Sequence, residues 1–172
     1  MDLGRNRRKD WPMILFHGSL QIVREPHILV PNRTLDYGAG FYTTTSEQQA
    51  REWILRKLSG EDSGFVNVYE LDEKAAVGLK RLDFSNPPGD EWVDFVHANR
   101  TQRDFTHDYD LVYGPVANDR VYAAFALYEQ GLLDKQELIA ELKTYKLIDQ
   151  MLFHTEVSLK CLRFIEAKEV RP

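Results

Sequence analysis

Phe65-Val66-Asn67-Val68-Tyr69-Glu70-Leu71 carries the clearest strand pattern in this sequence. Polar Asn67 and Glu70 interrupt apolar and aromatic residues, as in a strand with one face against a core. Helical patterns lie on both sides of this segment, over residues 46–58 and 91–99. A strand bounded by helices indicates a mixed chain, which excludes the all-helical and all-β classes.

Toward the N-terminus, two further strands and one helix are predicted. The strands are Met13–Phe16, a run of four apolar residues, and Phe41–Thr45, which is rich in aromatic and β-branched residues. Ser46 with Gln49 forms a capping-box pattern that opens a helix to about Leu58. Its apolar positions have helical spacing and are expected to face the core: Ala50, Trp53, Ile54 and Leu58.

Toward the C-terminus, helices and strands continue to alternate without a regular βαβ rhythm. The predicted elements are a helix at Glu91–Asn99, a strand at Leu111–Val116, helices at 120–130 and from the Asp134/Glu137 capping pair, and strands at Lys146–His154 and Cys161–Val170 around a helical turn. We therefore expect an α+β fold with one domain over residues 1–172. Residues 1–11 are expected to be a frayed N-terminus.

Composition restricts the function classes. The chain has 172 residues and a net charge of −5, divided into +3 for residues 1–60 and −8 for residues 61–172. An acidic chain is poorly suited to non-specific DNA binding. No apolar run approaches the length of a membrane span, no secretory signal pattern opens the chain, and Cys161 is the only cysteine. These features predict a cytoplasmic protein with no membrane partner, no disulfide and no structural metal site.

The first segment whose residues could take part in binding or catalysis is Phe16-His17-Gly18-Ser19, where a histidine follows a buried strand. An imidazole can hydrogen-bond a sugar hydroxyl, and glycine lets a ligand approach the backbone closely. Ordinary turn chemistry explains the same pattern.

The second segment is Tyr37-Gly38-Ala39-Gly40-Phe41-Tyr42. Its two glycines allow a tight turn, and the ring of Tyr42 could stack on a planar heterocycle. The alternative is a β-turn that leads into a core strand. The segment is not a phosphate-binding loop, because the lysine and hydroxyl residue that end such a loop are missing.

The third segment begins with Asp149-Gln150-Met151-Leu152-Phe153 and continues to Glu156. Gln150 and Glu156 lie at the two ends of a short apolar strand, and Glu156 could serve as an acid or base. The alternative role for Glu156 is to complement the dipole at a helix N-terminus.

In this order, the three segments resemble the ADP-ribosyltransferase superfamily, on the side of diphtheria toxin and the poly(ADP-ribose) polymerases. They are similar to its Trp-His-Gly-Ser, Phe-Gly-Lys-Gly-Ile-Tyr and Asn-Glu-Tyr-Ile-Val segments. The layout also resembles a bacterial branch known mainly as a domain of unknown function. The resemblance spans residues 13–165 and implies a split, mixed β-sandwich with flanking helices. It further leads us to expect the His17 and Gln150 strands side by side in the centre.

The resemblance implies NAD+ as a substrate, with no metal. His17 would hydrogen-bond a ribose hydroxyl, the Gly18 backbone would hold the nicotinamide carboxamide with Ser19 close by, and Tyr42 would stack on the nicotinamide. Gly40 belongs to the same binding segment. Trp53 lies near the position of a second stacking aromatic, but its helical spacing favours a core role.

One position departs from the family pattern, because Gln150 stands where the family has glutamate. An amide can bind the ribose 2′-hydroxyl but offsets developing positive charge less well than a carboxylate. Glu156 is the nearby carboxylate that could substitute, provided that the strand continues far enough to keep both residues on one face. We rank Gln150 ahead of Glu156 as the third catalytic residue, with His17 and Tyr42 as the others.

The expected activity is mono-ADP-ribosyl transfer to a macromolecular acceptor, either protein or nucleic acid. Two alternatives remain: an NAD+ glycohydrolase with water as the acceptor, and a non-catalytic module that binds NAD+ or a partner. By analogy with small bacterial members, the resemblance also suggests a toxin neutralised by an antitoxin protein.

Overall fold

The computed structural model describes residues 14–30 and 34–172. Seven strands are present in these residues: β1 (Ile14–Ser19), β2 (Phe41–Thr44), β3 (Gly64–Leu71), β4 (Arg81–Asp83), β5 (Leu111–Pro115), β6 (Asp149–Phe153) and β7 (Leu162–Val170). Five helices accompany them: α1 (Glu47–Lys57), α2 (Asp90–Thr101), α3 (Asp119–Glu129), α4 (Lys135–Leu142) and α5 (Glu156–Leu159).

The strands form one mixed sheet in the order β4-β5-β6-β2-β1-β3-β7. Only the β4–β5 pair among them is parallel. The protein is therefore a mixed α/β protein with an open sheet. This arrangement differs from the expected β-sandwich of two packed sheets, because helices and loops, and not a second sheet, cover the apolar faces.

The sheet has a weak seam between β1 and β2. These strands share a single register pair, Phe16 with Thr44. In contrast, β1 pairs with β3 at six positions and β2 pairs with β6 at four. The seam divides the sheet into two well-paired halves, β4-β5-β6-β2 and β1-β3-β7.

The two faces of the sheet bury different apolar clusters. On one face, the helices α2, α3 and α4 cover the half that contains β5 and β6, and Val112 and Leu152 lie in that cluster. On the same face, α1 covers the other half through Ala50 and Ile54. The opposite face is packed by loops and α5; its strand residues include Leu15, Phe41, Tyr69, Met151 and Phe153.

Most predicted elements are confirmed, including the caps at Ser46 and Asp134. The first strand continues through His17 to Ser19, so these residues belong to a strand rather than to a turn. The prediction that Trp53 lies in the core is wrong, because the residue is 39% exposed. The expected frayed segment 1–11 lies outside the described residues.

Candidate functional site

The three segments singled out in the sequence lie on neighbouring strands. Strands β1, β2 and β6 are consecutive in the sheet and carry His17, Tyr42 and Gln150. The expectation that the His17 and Gln150 strands pair directly is wrong, because β2 lies between them. Two strand spacings separate their backbones by about 10 Å, a distance that one nicotinamide riboside can span.

The register assigns the side chains to faces. Phe16, Thr44 and Gln150 form one row across the three strands, so their side chains point to the same face. Residues two apart on a strand share a face, which puts Tyr42 on the face of Gln150. His17 follows Phe16 and therefore points to the opposite face.

His17 connects the first two segments directly. Its Nδ1 atom lies 2.7 Å from the carbonyl oxygen of Tyr42, so Nδ1–H donates to that oxygen. The imidazole also lies against the ring of Phe41, with 4.2 Å between the ring centroids. Burial lowers the pKa of His17, against the opposing effect of the bond to Tyr42. A neutral imidazole with hydrogen on Nδ1 leaves Nε2 as a hydrogen-bond acceptor.

The loop that precedes β2 uses both the donor and the acceptor of the Tyr42 hydroxyl. It donates to the carbonyl of Gly38 at 2.6 Å and accepts from the backbone N–H of Tyr37 at 3.1 Å. Burial raises the pKa of this phenol well above its ordinary value. Tyr42 can therefore offer a ligand its ring but not a free hydroxyl.

Gly18 lies directly against helix α1. A Cβ atom at this position would lie 2.7 Å from the carbonyl oxygen of Ala50 and 3.2 Å from the ring of Trp53. Packing against the helix alone therefore requires glycine here. The same contact places the half-exposed ring of Trp53 beside Gly18, and sequence reasoning assigned that ring to the core.

Gln150 is largely enclosed, with 8% of its surface exposed. Its side chain lies on the face of the sheet that carries the hydroxyl of Tyr37, and burial raises the pKa of that hydroxyl well above the ordinary value. That hydroxyl accepts from Trp92 Nε1 and donates to the carbonyl of Pro115, both at 2.8 Å. Gln150 is thus buried beside a polar network on the face that α2 covers.

Glu156 and Gln150 lie toward opposite ends of β6. The strand ends at Phe153, and Glu156 is the first residue of α5, after the N-cap Thr155. There the carboxylate complements the helix dipole and accepts weakly from the backbone N–H of Ile28 at 3.4 Å. The structure does not bring Glu156 to the face of Gln150.

Ser19 and Gly40 have local structural roles. The hydroxyl of Ser19 accepts from the backbone N–H of Gln21 at 3.1 Å, in an exposed turn. Gly40 has a φ of 150°, and a Cβ atom there would collide with the carbonyl of Phe153. Glycine at position 40 therefore lets the loop approach β6.

Sequence reasoning missed two histidines that hold the segment 36–40, here named the 36–40 loop. Three successive carbonyls of this loop each accept a hydrogen bond from a side chain. The carbonyl of Tyr37 accepts from His107 Nε2 at 2.8 Å, that of Gly38 from the hydroxyl of Tyr42, and that of Ala39 from His154 Nδ1 at 2.5 Å. The two imidazoles lie against each other, tilted by 34°, with 4.1 Å between their centroids. Their separation in sequence gives no signal for this contact.

Two surface depressions lie elsewhere. One, with a volume of about 310 Å³, borders the 36–40 loop and is lined by Thr34, Asp36, Arg100, Thr101, Tyr122 and Glu129. The other, of about 640 Å³, lies where β3 ends and β7 begins. Neither is lined by a predicted site residue. Within residues 14–30 and 34–172, no group of three His, Cys, Asp or Glu side chains could hold a metal ion, and no helix is long and apolar enough to span a membrane.

A protein-family model described as "Protein of unknown function (DUF3990)" matches residues 13–164. The chain belongs to the DUF3990 family. The matched range contains β1, β2 and β6 and every residue of the candidate site. No curated protein and no solved structure matches this DUF3990 chain.

Proposed function

We propose that this protein has an ADP-ribosyltransferase-like fold, cleaves the nicotinamide glycosidic bond of NAD+ and passes ADP-ribose to a macromolecular acceptor. The supporting observation is the adjacency of β1, β2 and β6, which carry the three segments of the resemblance on consecutive strands. The seam between β1 and β2 also agrees with a split sheet.

In this proposal, the nicotinamide lies between the ring of Tyr42 and the half-exposed ring of Trp53, near the Gly18 backbone. The carboxamide of nicotinamide needs both a donor and an acceptor, which a strand backbone supplies. His17 holds the main chain of Tyr42 through Nδ1. Its ring points to the opposite face of the sheet, so in this proposal its Nε2 accepts from a ribose hydroxyl in the gap beyond the last β1–β2 pair. Gln150 reaches the 2′-hydroxyl once its buried side chain is uncovered.

The reaction is a substitution at the anomeric carbon of the ribose. The bond between that carbon and the nicotinamide nitrogen breaks, and nicotinamide leaves as a neutral molecule with the bonding electron pair. The nucleophile of the acceptor forms the new bond to the same carbon and releases its proton to water. The protein contributes by holding the sugar and the leaving group in a reactive arrangement.

A second candidate is a non-catalytic NAD+-binding module. The burial of Gln150 favours this candidate, because an enclosed, uncharged amide offers little stabilisation to a ribosyl cation.

Incubation with NAD+ labelled in its adenylate part, in a cell lysate, tests both candidates. Nicotinamide release together with labelled protein or nucleic acid supports transfer, whereas release without incorporation identifies a glycohydrolase. Binding without release supports the second candidate, and the absence of binding contradicts both. The variant Val77→Ala, changed at an exposed position away from the site, should give the same result as wild type in each of these assays.

A further inference from the structure

We propose that His107 and His154 are positioning residues, which together form a proton-sensitive latch on the 36–40 loop and so fix the ring of Tyr42. The role in binding rests on the proposed function, but the latch itself does not. The geometry that carries the inference is the row of three side-chain hydrogen bonds to successive loop carbonyls.

The tautomer of His107 follows from its two partners. Nε2 faces the carbonyl of Tyr37, so it carries the hydrogen. Nδ1 faces the backbone N–H of Tyr109 at 3.3 Å and is therefore an acceptor. A second proton can enter only at Nδ1, where it would oppose the N–H of Tyr109. Protonation of His107 thus breaks one of the contacts that hold it in place.

His154 holds the same loop, because its Nδ1–H donates to the carbonyl of Ala39. Its ring lies beside that of His107, with 4.1 Å between the centroids, so a positive charge on His154 opposes the protonation of His107. The loop is therefore held best when His107 is neutral.

The surroundings of the pair are mostly uncharged. Helix α2 contributes Phe95, whose ring centroid lies 5.2 Å from that of His107, and Asn99 beside the loop. The carboxylate that acts on His107 is that of Asp108, the next residue in the chain, and it is paired with the ammonium group of Lys80. A second carboxylate, Asp110, accepts from Thr155 and from the backbone N–H of Lys80.

The pKa of His107 is lowered, and burial is the largest cause. A charge on His154 lowers this pKa further, whereas the hydrogen bond to the carbonyl of Tyr37 and the charge of Asp108 raise it. A group with a depressed pKa in the folded state stabilises that state above the unfolded pKa, about 6.5 for histidine. This contribution falls as the pH drops below that value. The loop is therefore held at neutral pH and released in mild acid.

The test compares wild type with the double variant His107→Gln/His154→Asn. Glutamine places an N–H near the position of Nε2 and asparagine near that of Nδ1, so both loop bonds persist while the titrating rings are gone. The readout is amide hydrogen exchange of the peptide that contains residues 36–42, corrected for the intrinsic effect of pH. This peptide includes the N–H groups of Tyr37 and Gly38, which bond to Tyr42 and Leu35.

From pH 7.5 to pH 5.5 we expect wild-type protection to fall severalfold, because the pKa of His107 is lowered in the folded protein, and protection in the double variant to stay constant. Constant wild-type protection, or an equal loss in the variant, overturns the latch. If the double variant does not fold, the single variant His107→Gln is measured instead. Its hydrogen-exchange protection must fall less than that of wild type between the two pH values.

The KM for NAD+ in nicotinamide release, measured at both pH values, separates the latch from the proposed function. A KM that rises in acid for wild type but not for the variant, with kcat unchanged, supports positioning of Tyr42. Loss of protection in a protein that releases no nicotinamide leaves the latch standing and contradicts the proposed function.

Discussion

The Nδ1 atom of His17 lies 2.7 Å from the carbonyl oxygen of Tyr42, one residue beyond the single pair that joins β1 to β2. A side chain thus links the two halves of the sheet where their backbones stop pairing. This bond fixes the tautomer of His17 and the main chain of Tyr42 together, so the two residues should respond to mutation as a unit.

His17→Ala removes this link and the Nε2 acceptor. We expect nicotinamide release to fall about 10²-fold, because the substrate is no longer positioned. His17→Asn is the matched control, since its amide N–H can retain the bond to Tyr42 without supplying Nε2. Equal turnover of His17→Ala and wild type in a nicotinamide-release assay would remove His17 from the site.

Substitutions of Tyr42 separate its ring from its hydroxyl. Tyr42→Phe loses two hydrogen bonds in the 36–40 loop and should lower the free energy of unfolding by about 1–3 kcal/mol, while the stacking surface remains. Tyr42→Ala should also weaken NAD+ binding, because base–aromatic stacking is worth about 1–3 kcal/mol. Calorimetric titration and urea unfolding measure the two effects; unchanged NAD+ affinity in Tyr42→Ala would make the residue purely structural.

Trp53→Ala tests the second ring. The side chain is exposed enough that we expect a loss of NAD+ affinity without a large loss of stability. Leu55→Ala, 42% exposed on the same helix, is the matched control and should bind as wild type. If both variants bind NAD+ equally well, Trp53 is a surface residue without a part in the site.

Gln150→Glu restores the carboxylate of the family pattern in a buried position. Nicotinamide release should be preserved or raised, because the anion faces a developing cation. Burial raises the pKa of the new carboxyl group in the folded state. The destabilisation is therefore relieved in acid and grows as the pH rises above about 4.3, the ordinary pKa of glutamate.

Urea unfolding at several pH values measures this cost of the Gln150 substitution. Glu156→Gln is its functional control and should leave turnover unchanged. Loss of turnover in Glu156→Gln, with no gain in Gln150→Glu, would reverse the assignment of the third residue.

Gly18→Ala tests the contact between β1 and α1. The added methyl group meets the carbonyl of Ala50, so we expect a loss of about 1–3 kcal/mol in the free energy of unfolding. Gly89→Ser is the control, because a Cβ atom there would have nothing within 4 Å, the φ of Gly89 is −120°, and serine suits its position as the N-cap of α2. Thermal unfolding of both variants measures this effect. Equal unfolding temperatures would show that α1 can move to accommodate the methyl group without a loss of stability.

The sequence predicts most elements because hydrophobic periodicity and caps are local signals. The strand Phe65–Leu71 and the capped helices at Ser46 and Asp134 follow from such signals. Strand β4 was missed, since its three residues are mostly exposed and carry no period.

The candidate site is less predictable, because it depends on which strands become neighbours. A histidine before a glycine gives no indication that its ring will bond Tyr42, or that α1 will pack against Gly18. The pairing of His107 with His154 arises because β5 and β6 are adjacent, and the N–H of His154 donates to the carbonyl of Asp110. Such contacts between distant segments carry no local pattern.

The half-sheet β1-β3-β7 has a consequence for the order of folding. Its longest ladder joins β3 to β7 at eight register positions, yet residues 72–161 separate these strands in the chain. Closing so long a loop costs entropy before any contact repays it, which slows the formation of non-local pairs. During synthesis β1 and β3 can pair with each other first, but the outer edge of β3 stays unpaired until β7, which ends at Val170, has been made.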